Sequence, residues 1–121
     1  MLSSAAELDV RSLSRLFRAL GDETRLRIVA LLAHGELCVC HIERALDLAQ
    51  PNASRQLGVL RAGGVVDSRR DGSWVLYRLA APEHGAALRV LAVLTASFTT
   101  RRVLRGDLAR LRRACGPGAC P

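Results

Sequence analysis

This sequence predicts a mainly α-helical chain carrying one small β-hairpin, on three observations. Apolar residues recur at helical spacing in four successive segments of the first half. The third and fourth of these are short and are separated by only a few residues, as in a helix-turn-helix. Two β-prone runs then flank Asp71-Gly72, a dipeptide suited to a tight hairpin turn. A helix-turn-helix followed by such a wing is a winged helix-turn-helix, and 121 residues give it one domain with a modest core.

The elements follow in order. From Leu8 to Leu20, Leu13, Leu16, Phe17 and Leu20 form an apolar stripe, with Arg11, Arg15 and Arg18 opposite. Gly21 breaks this helix, Asp22 is placed to cap a second, Ile28, Leu31 and Leu32 form its stripe, and Gly35 stops it. A third helix is expected from about Cys38 to Leu48, burying Ile42, Ala45 and Leu46. Pro51 suits the first turn of a fourth, which buries Ala53, Leu57 and Leu60 and closes at Gly63 and Gly64. After the hairpin, helical periodicity returns from about Pro82 to Arg113, through Leu88, Leu91, Leu94, Leu104, Leu108 and Leu111. Residues 1–114 are read as the domain, and 115–121 as a flexible cysteine-containing tail, too rich in Gly and Pro to stay helical.

Composition narrows the function. Eighteen basic residues, all arginine, stand against 11 acidic ones for a net charge of +7, which favours a polyanionic partner. No apolar run approaches the roughly 18 residues of a membrane span, and the N-terminus has no signal-peptide pattern, so a cytoplasmic location is expected. In such a reducing compartment the four cysteines are expected to bind metal or do redox chemistry rather than form structural bridges.

If Ala53, Leu57 and Leu60 face inward, Asn52, Arg55 and Gln56 share the outward face. Arginine pairs bidentately with guanine, and Asn or Gln with adenine, so this stripe has the chemistry of major-groove readout. Gln50 and Ser54 are placed to hold phosphates near the helix start, and Arg69 and Arg70 sit beside the wing turn. A merely solvated polar face is the plain alternative; the basic charge and adjoining hairpin favour DNA.

Residues 17–79 resemble, almost end to end, the winged-helix core of the ArsR/SmtB family of metalloregulatory repressors. The most specific pieces are "GDETRLRI", "ELCVC" and "QPNASRQLGVLRAGGVV", in the family's order and spacing. The resemblance implies a homodimer packed through its first and last helices, bound to double-stranded operator DNA and released by an inducer. Ala49 departs from the serine that often caps the family's recognition helix.

The resemblance also bears on the cysteines. In the arsenic- and antimony-sensing branch, "ELCVC" supplies two of the sulfurs that take trivalent arsenic, which here are Cys38 and Cys40. Residues i and i+2 of an ideal helix point about 200° apart, so the two chelate one ion only where the helix start is not yet regular. A third cysteine often follows three residues later, where this chain has Glu43; Cys115 and Cys120 in the tail are candidate substitutes. Three thiolates suit As(III) or Sb(III), and four suit Cd(II), Pb(II) or Zn(II). His41 is left out of the site, and the Asp and His pairs of the family's other metal site are absent from the last helix, which offers only His84 and Asp107.

The expected function is therefore repression of a metalloid-resistance operon, relieved when As(III) or Sb(III) binds. Two alternatives stay with regulation: a four-cysteine Cd(II), Pb(II) or Zn(II) sensor, and a thiol redox or persulfide switch. A third is a metal-sequestering protein with an incidental helix-turn-helix. An enzyme is not expected, because nothing in the sequence pairs a nucleophile with a base, and no small-molecule substrate or membrane partner is implied.

Overall fold

A computed structural model describes residues 10–80, 89, 90, 92–94, 96 and 102–114. Its elements run α1 (Val10–Leu20), α2 (Glu23–Leu32), β1 (Leu37–Cys38), α3 (Val39–Leu46), α4 (Gln50–Ala62), β2 (Val66–Asp71), β3 (Trp74–Leu79) and α5 (Arg102–Ala114). Residues 89, 90, 92–94 and 96 are also helical.

The apolar stripes meet as their spacing requires. Ile28 and Val29 of α2, Ile42 and Ala45 of α3, and Ala53, Leu57 and Leu60 of α4 are fully buried in one core, closed by Leu16, Ala19 and Leu20 of α1 and Leu111 of α5. Phe17 departs from expectation: it is 53% exposed, because it lies one residue, about 100° of helix, round from Leu16, which takes the inward position. Asp22 caps α2 as expected, its Oδ2 accepting from the Arg25 amide at 3.1 Å.

Two boundaries differ from the sequence reading. α3 ends at Leu46 rather than Leu48, because Asp47 turns left-handed (φ 55°) and the Leu48 amide then donates to the Glu43 carbonyl at 2.9 Å. Asp is among the few residues that tolerate this conformation, and the closing bond satisfies a carbonyl the helix end would otherwise leave open. In the wing, Asp71 pairs with Trp74, so the turn is Gly72-Ser73 rather than Asp71-Gly72. Gly72 has φ +64°, and positive φ at the first turn position alone is the type II′ pattern.

The sheet also holds a strand that periodicity did not reveal. Leu37 and Cys38 pair antiparallel with Tyr77 and Leu76, making three strands in the order β1-β3-β2. Two residues are too few to show alternation, and their pairing is fixed by a hairpin about 40 residues away in sequence. This short strand sets the entry to α3.

α5 closes the domain against α2 and α3. Asp107, fully buried, accepts from Arg27 Nε at 2.8 Å and Nη2 at 2.7 Å and from Arg110 Nη2, while Arg110 Nε donates to the Ala45 carbonyl at 2.7 Å. Of the helical span expected from Pro82, residues 82–88, including His84 and Leu88, and Leu91 lie outside the described residues, as do Cys115, Cys120 and the boundary before the tail.

Candidate nucleic-acid interface and thiol centre

α4 begins at Gln50 with Pro51 in its first turn, and its N-cap, Ala49, makes no side-chain cap hydrogen bond. Burial of Ala53, Leu57 and Leu60 turns the opposite side outward. Gln50, Ser54 and Arg55 are exposed there, and Asn52 and Gln56 are half-buried beside them. Gln50 Nε2 donates to Ser54 Oγ at 2.8 Å, and Arg55 Nη2 donates to Asn52 Oδ1 at 2.9 Å. The predicted stripe thus carries two hydrogen-bonded groups, Gln50 with Ser54 and Asn52 with Arg55 and Gln56.

One residue of this surface lies on another helix. Arg25 of α2 donates from Nη1 to Gln56 Oε1 at 2.9 Å and from Nε to the Ala19 carbonyl at 2.6 Å. It joins the end of α1 to the middle of α4. Sequence reading missed it because its partner is 31 residues away and nothing local marks the contact.

On the wing, Arg69 and Arg70 are exposed on β2. Arg69 forms a two-bond fork with Glu36, 2.7 and 2.6 Å, which holds the Glu36 carboxyl below the ordinary carboxylate range and raises the guanidinium. The pair fastens the segment before β1 to the hairpin. The Arg69 side chain is therefore already held at one end by this pair.

The two cysteines of the CxC straddle a change of backbone. Cys38 is the last residue of β1 and the N-cap of α3, extended at φ −80°, ψ 160°, while Cys40 lies in the first helical turn. The extended residue removes the 200° divergence of two helical positions, and the sulfurs come within 2.6 Å of each other. His41 Nδ1 is 3.3 Å from Cys38 Sγ, so this histidine, left out of the site at first, belongs to the cluster. Burial, with Arg44 nearby, lowers its pKa and favours neutral imidazole, the form that ligates metals.

Cys38 is 2% exposed and carries no disulfide, whereas Cys40 is disulfide-bonded, which corrects the expectation that no structural bridge forms. Once Cys40 is reduced, the donor set of two thiolates and one imidazole nitrogen is soft and fits a thiophilic ion. Two sulfurs shared by one tetrahedral ion at about 2.3 Å stand roughly 3.8 Å apart, so this pair would have to separate to share one.

The family model described as "Bacterial regulatory protein, arsR family" matches residues 22–68, from the cap of α2 into the wing. The solved homodimeric winged helix-turn-helix domain Mb0332 of Mycobacterium bovis, titled a possible ArsR-family transcriptional regulator, superposes with a TM-score of 0.65 at 34% identity, covering 73% of this chain and 79% of that one. The chain belongs to the ArsR family.

Other relatives of this ArsR-family protein are named as repressors or as a transcriptional regulatory protein. It is 39% identical over 94 residues to the biofilm growth-associated repressor of Agrobacterium fabrum, 78% of each chain. It is 54% identical over 66 residues to the arsenical resistance operon repressor of Escherichia coli, 54% of this chain and 56% of that protein. It is also 45% identical over 76 residues to the cadmium resistance regulatory protein CadC of Listeria innocua, 62% of this chain and 64% of that protein. The match thus spans just over half the length of the arsenical relative. Among the described residues, no helix is long and apolar enough to cross a membrane.

Proposed function

We propose that this ArsR-family protein is a homodimeric repressor of a metalloid-resistance operon, which leaves its operator when As(III) or Sb(III) binds the thiolates of Cys38 and Cys40. The observation that carries this reading is the convergence of both sulfurs at the β1–α3 junction, next to the helix pair that would read DNA. Similarity to the arsenical resistance repressor of E. coli over this same core supports the choice of ion.

The DNA surface is α4, with Gln50 and Ser54 at phosphates and Asn52, Arg55 and Gln56 toward the bases, flanked by Arg69 and Arg70 of the wing. Dimerisation through the first and last helices is supported by large apolar side chains left exposed there: Val10 is 86%, Phe17 53% and Val103 50% exposed. α3 packs directly on α4, so moving the start of α3 to admit an ion displaces the reading helix. Cys115 or Cys120 supplies the remaining thiolate.

Two readings compete. Similarity to CadC favours a Cd(II), Pb(II) or Zn(II) site using all four cysteines, Cys38, Cys40, Cys115 and Cys120. The disulfide at Cys40 favours a thiol switch in which two thiols give two electrons and two protons to an oxidant.

Absorbance titration of the reduced protein separates these readings. Sulfur-to-arsenic absorption that saturates at one arsenite per subunit, and is lost in Cys38→Ser, is the expected result. Saturation by Cd(II) at far lower concentration assigns the divalent site, and indifference to every ion assigns the redox switch.

A further inference from the structure

The hydrogen bonds of α4 restrict which base edges it can read. An arginine guanidinium donates and never accepts. Arg25 Nη1 therefore fixes the amide of Gln56 with Oε1 toward α2, and Gln56 Nε2 is left to donate to Asn52 Oδ1 at 3.2 Å. Arg55 Nη2 donates to the same Asn52 oxygen at 2.9 Å. A carbonyl oxygen has two lone pairs, and both are used. The group Asn52 has left to offer is Nδ2, which only donates.

Arg25 is itself held. Its Nε and Nη2 reach the Ala19 and Arg18 carbonyls at the end of α1, at 2.6 and 3.3 Å, where a helix leaves acceptors open. The orientation of Gln56, and through it of Asn52, thus follows from the packing of α1 on α2 and is in place before DNA arrives.

Asn recognises adenine bidentately by donating to N7 and accepting from the N6 amino group. With its oxygen engaged twice, Asn52 has no acceptor for that amino group. We infer that the Asn52 and Arg55 pair offers only donors, reads the acceptor edges of guanine (O6, N7) and thymine (O4) in the major groove, and has Arg25, acting through Gln56, as the positioning residue that sets this preference. This rests on the reading that α4 enters the major groove, and it replaces the adenine pairing expected from residue types alone.

The test begins with DNA selected from a random library by the reduced full-length protein. Single bases under α4 are then replaced: guanine by 7-deazaguanine, which lacks the N7 acceptor, and adenine by purine, which lacks the 6-amino donor. A loss of about tenfold or more in affinity is expected at one or more guanines, with less than twofold at every adenine. In Arg25→Leu, which frees Gln56 to turn, sensitivity to the adenine amino group should appear. If that variant does not fold, Gln56→Leu removes one of the two donors on Asn52 Oδ1, frees one lone pair, and carries the same expectation.

A wild-type loss of tenfold on removing an adenine amino group, abolished by Asn52→Ala, would overturn the inference while leaving α4 as the reader. Adenine insensitivity unchanged in the folded variants would remove Arg25 from the role. Absence of any sequence preference would instead overturn the reading of α4 as a DNA-recognition helix.

Discussion

Arg27 of α2 and Asp107 of α5 meet through two hydrogen bonds, 2.8 and 2.7 Å, across 80 residues of chain. Asp107 is fully buried and also accepts from Arg110, whose Nε caps the Ala45 carbonyl near the end of α3. One carboxylate thus ties together three helices.

Asp107→Ala should therefore destabilise the protein strongly. Removing one partner of a buried pair costs about 3–5 kcal/mol. The low end applies, because Arg27 and Arg110 are 23% and 40% exposed and water solvates what is left. Arg27 and Asp107 also line a cavity of about 340 Å³ between α2 and α5, which gives water a route to them. Urea denaturation at fixed protein concentration measures the loss.

Two glycines give opposite results for the same substitution. A Cβ on Gly63 would lie 2.6 Å from the Ala19 Cβ and 3.2 Å from the Arg15 carbonyl, so Gly63→Ala forces α1 and α4 apart, at about 1–3 kcal/mol. A Cβ on Gly58 meets nothing within 4 Å in the middle of α4, so Gly58→Ala should stabilise by about 0.5–1 kcal/mol. Thermal midpoints that move in opposite directions are the expected outcome.

Ala49→Ser should restore a cap to α4. Ala49 already has the extended backbone of an N-cap, φ −68° and ψ 147°, and lacks only a side-chain oxygen. A gain of about 0.5–1 kcal/mol is expected. Circular dichroism during urea titration reads it, and an unchanged midpoint would mean that another group or water already satisfies those amides.

Arg55→Ala and Cys38→Ser should separate reading from sensing. The first loses about 1–3 kcal/mol of discrimination per base contact and keeps its arsenite affinity. The second binds DNA normally and stays bound when arsenite is added. Equal loss of both activities in both variants would contradict the division of roles.

The sequence disclosed what depends on local periodicity and lost what depends on distant partners. Ile28, Ile42, Leu57 and Leu60 were legible as core from spacing alone, and Asp22 as a cap from its place before an apolar run. β1, by contrast, is strand only because β3 lies beside it, and Phe17 is outward only because Leu16 took the inward position. Asp107 was noted only as an acidic residue of the last helix that lacks the pairing of a metal site, and not as an ion-pair centre, since Arg27 stands 80 residues away. At the thiol centre the CxC was plain, but the inclusion of His41 and the disulfide of Cys40 depend on three-dimensional placement.

The central claim is that an ion at Cys38 and Cys40 releases α4 from DNA. Fluorescence anisotropy of labelled DNA bound to the reduced protein, titrated with arsenite and in parallel with Cd(II), tests it most directly. The account predicts release by arsenite at the lower concentration and none in Cys38→Ser. Anisotropy that holds through saturating arsenite, with the thiols shown to be reduced, would contradict it.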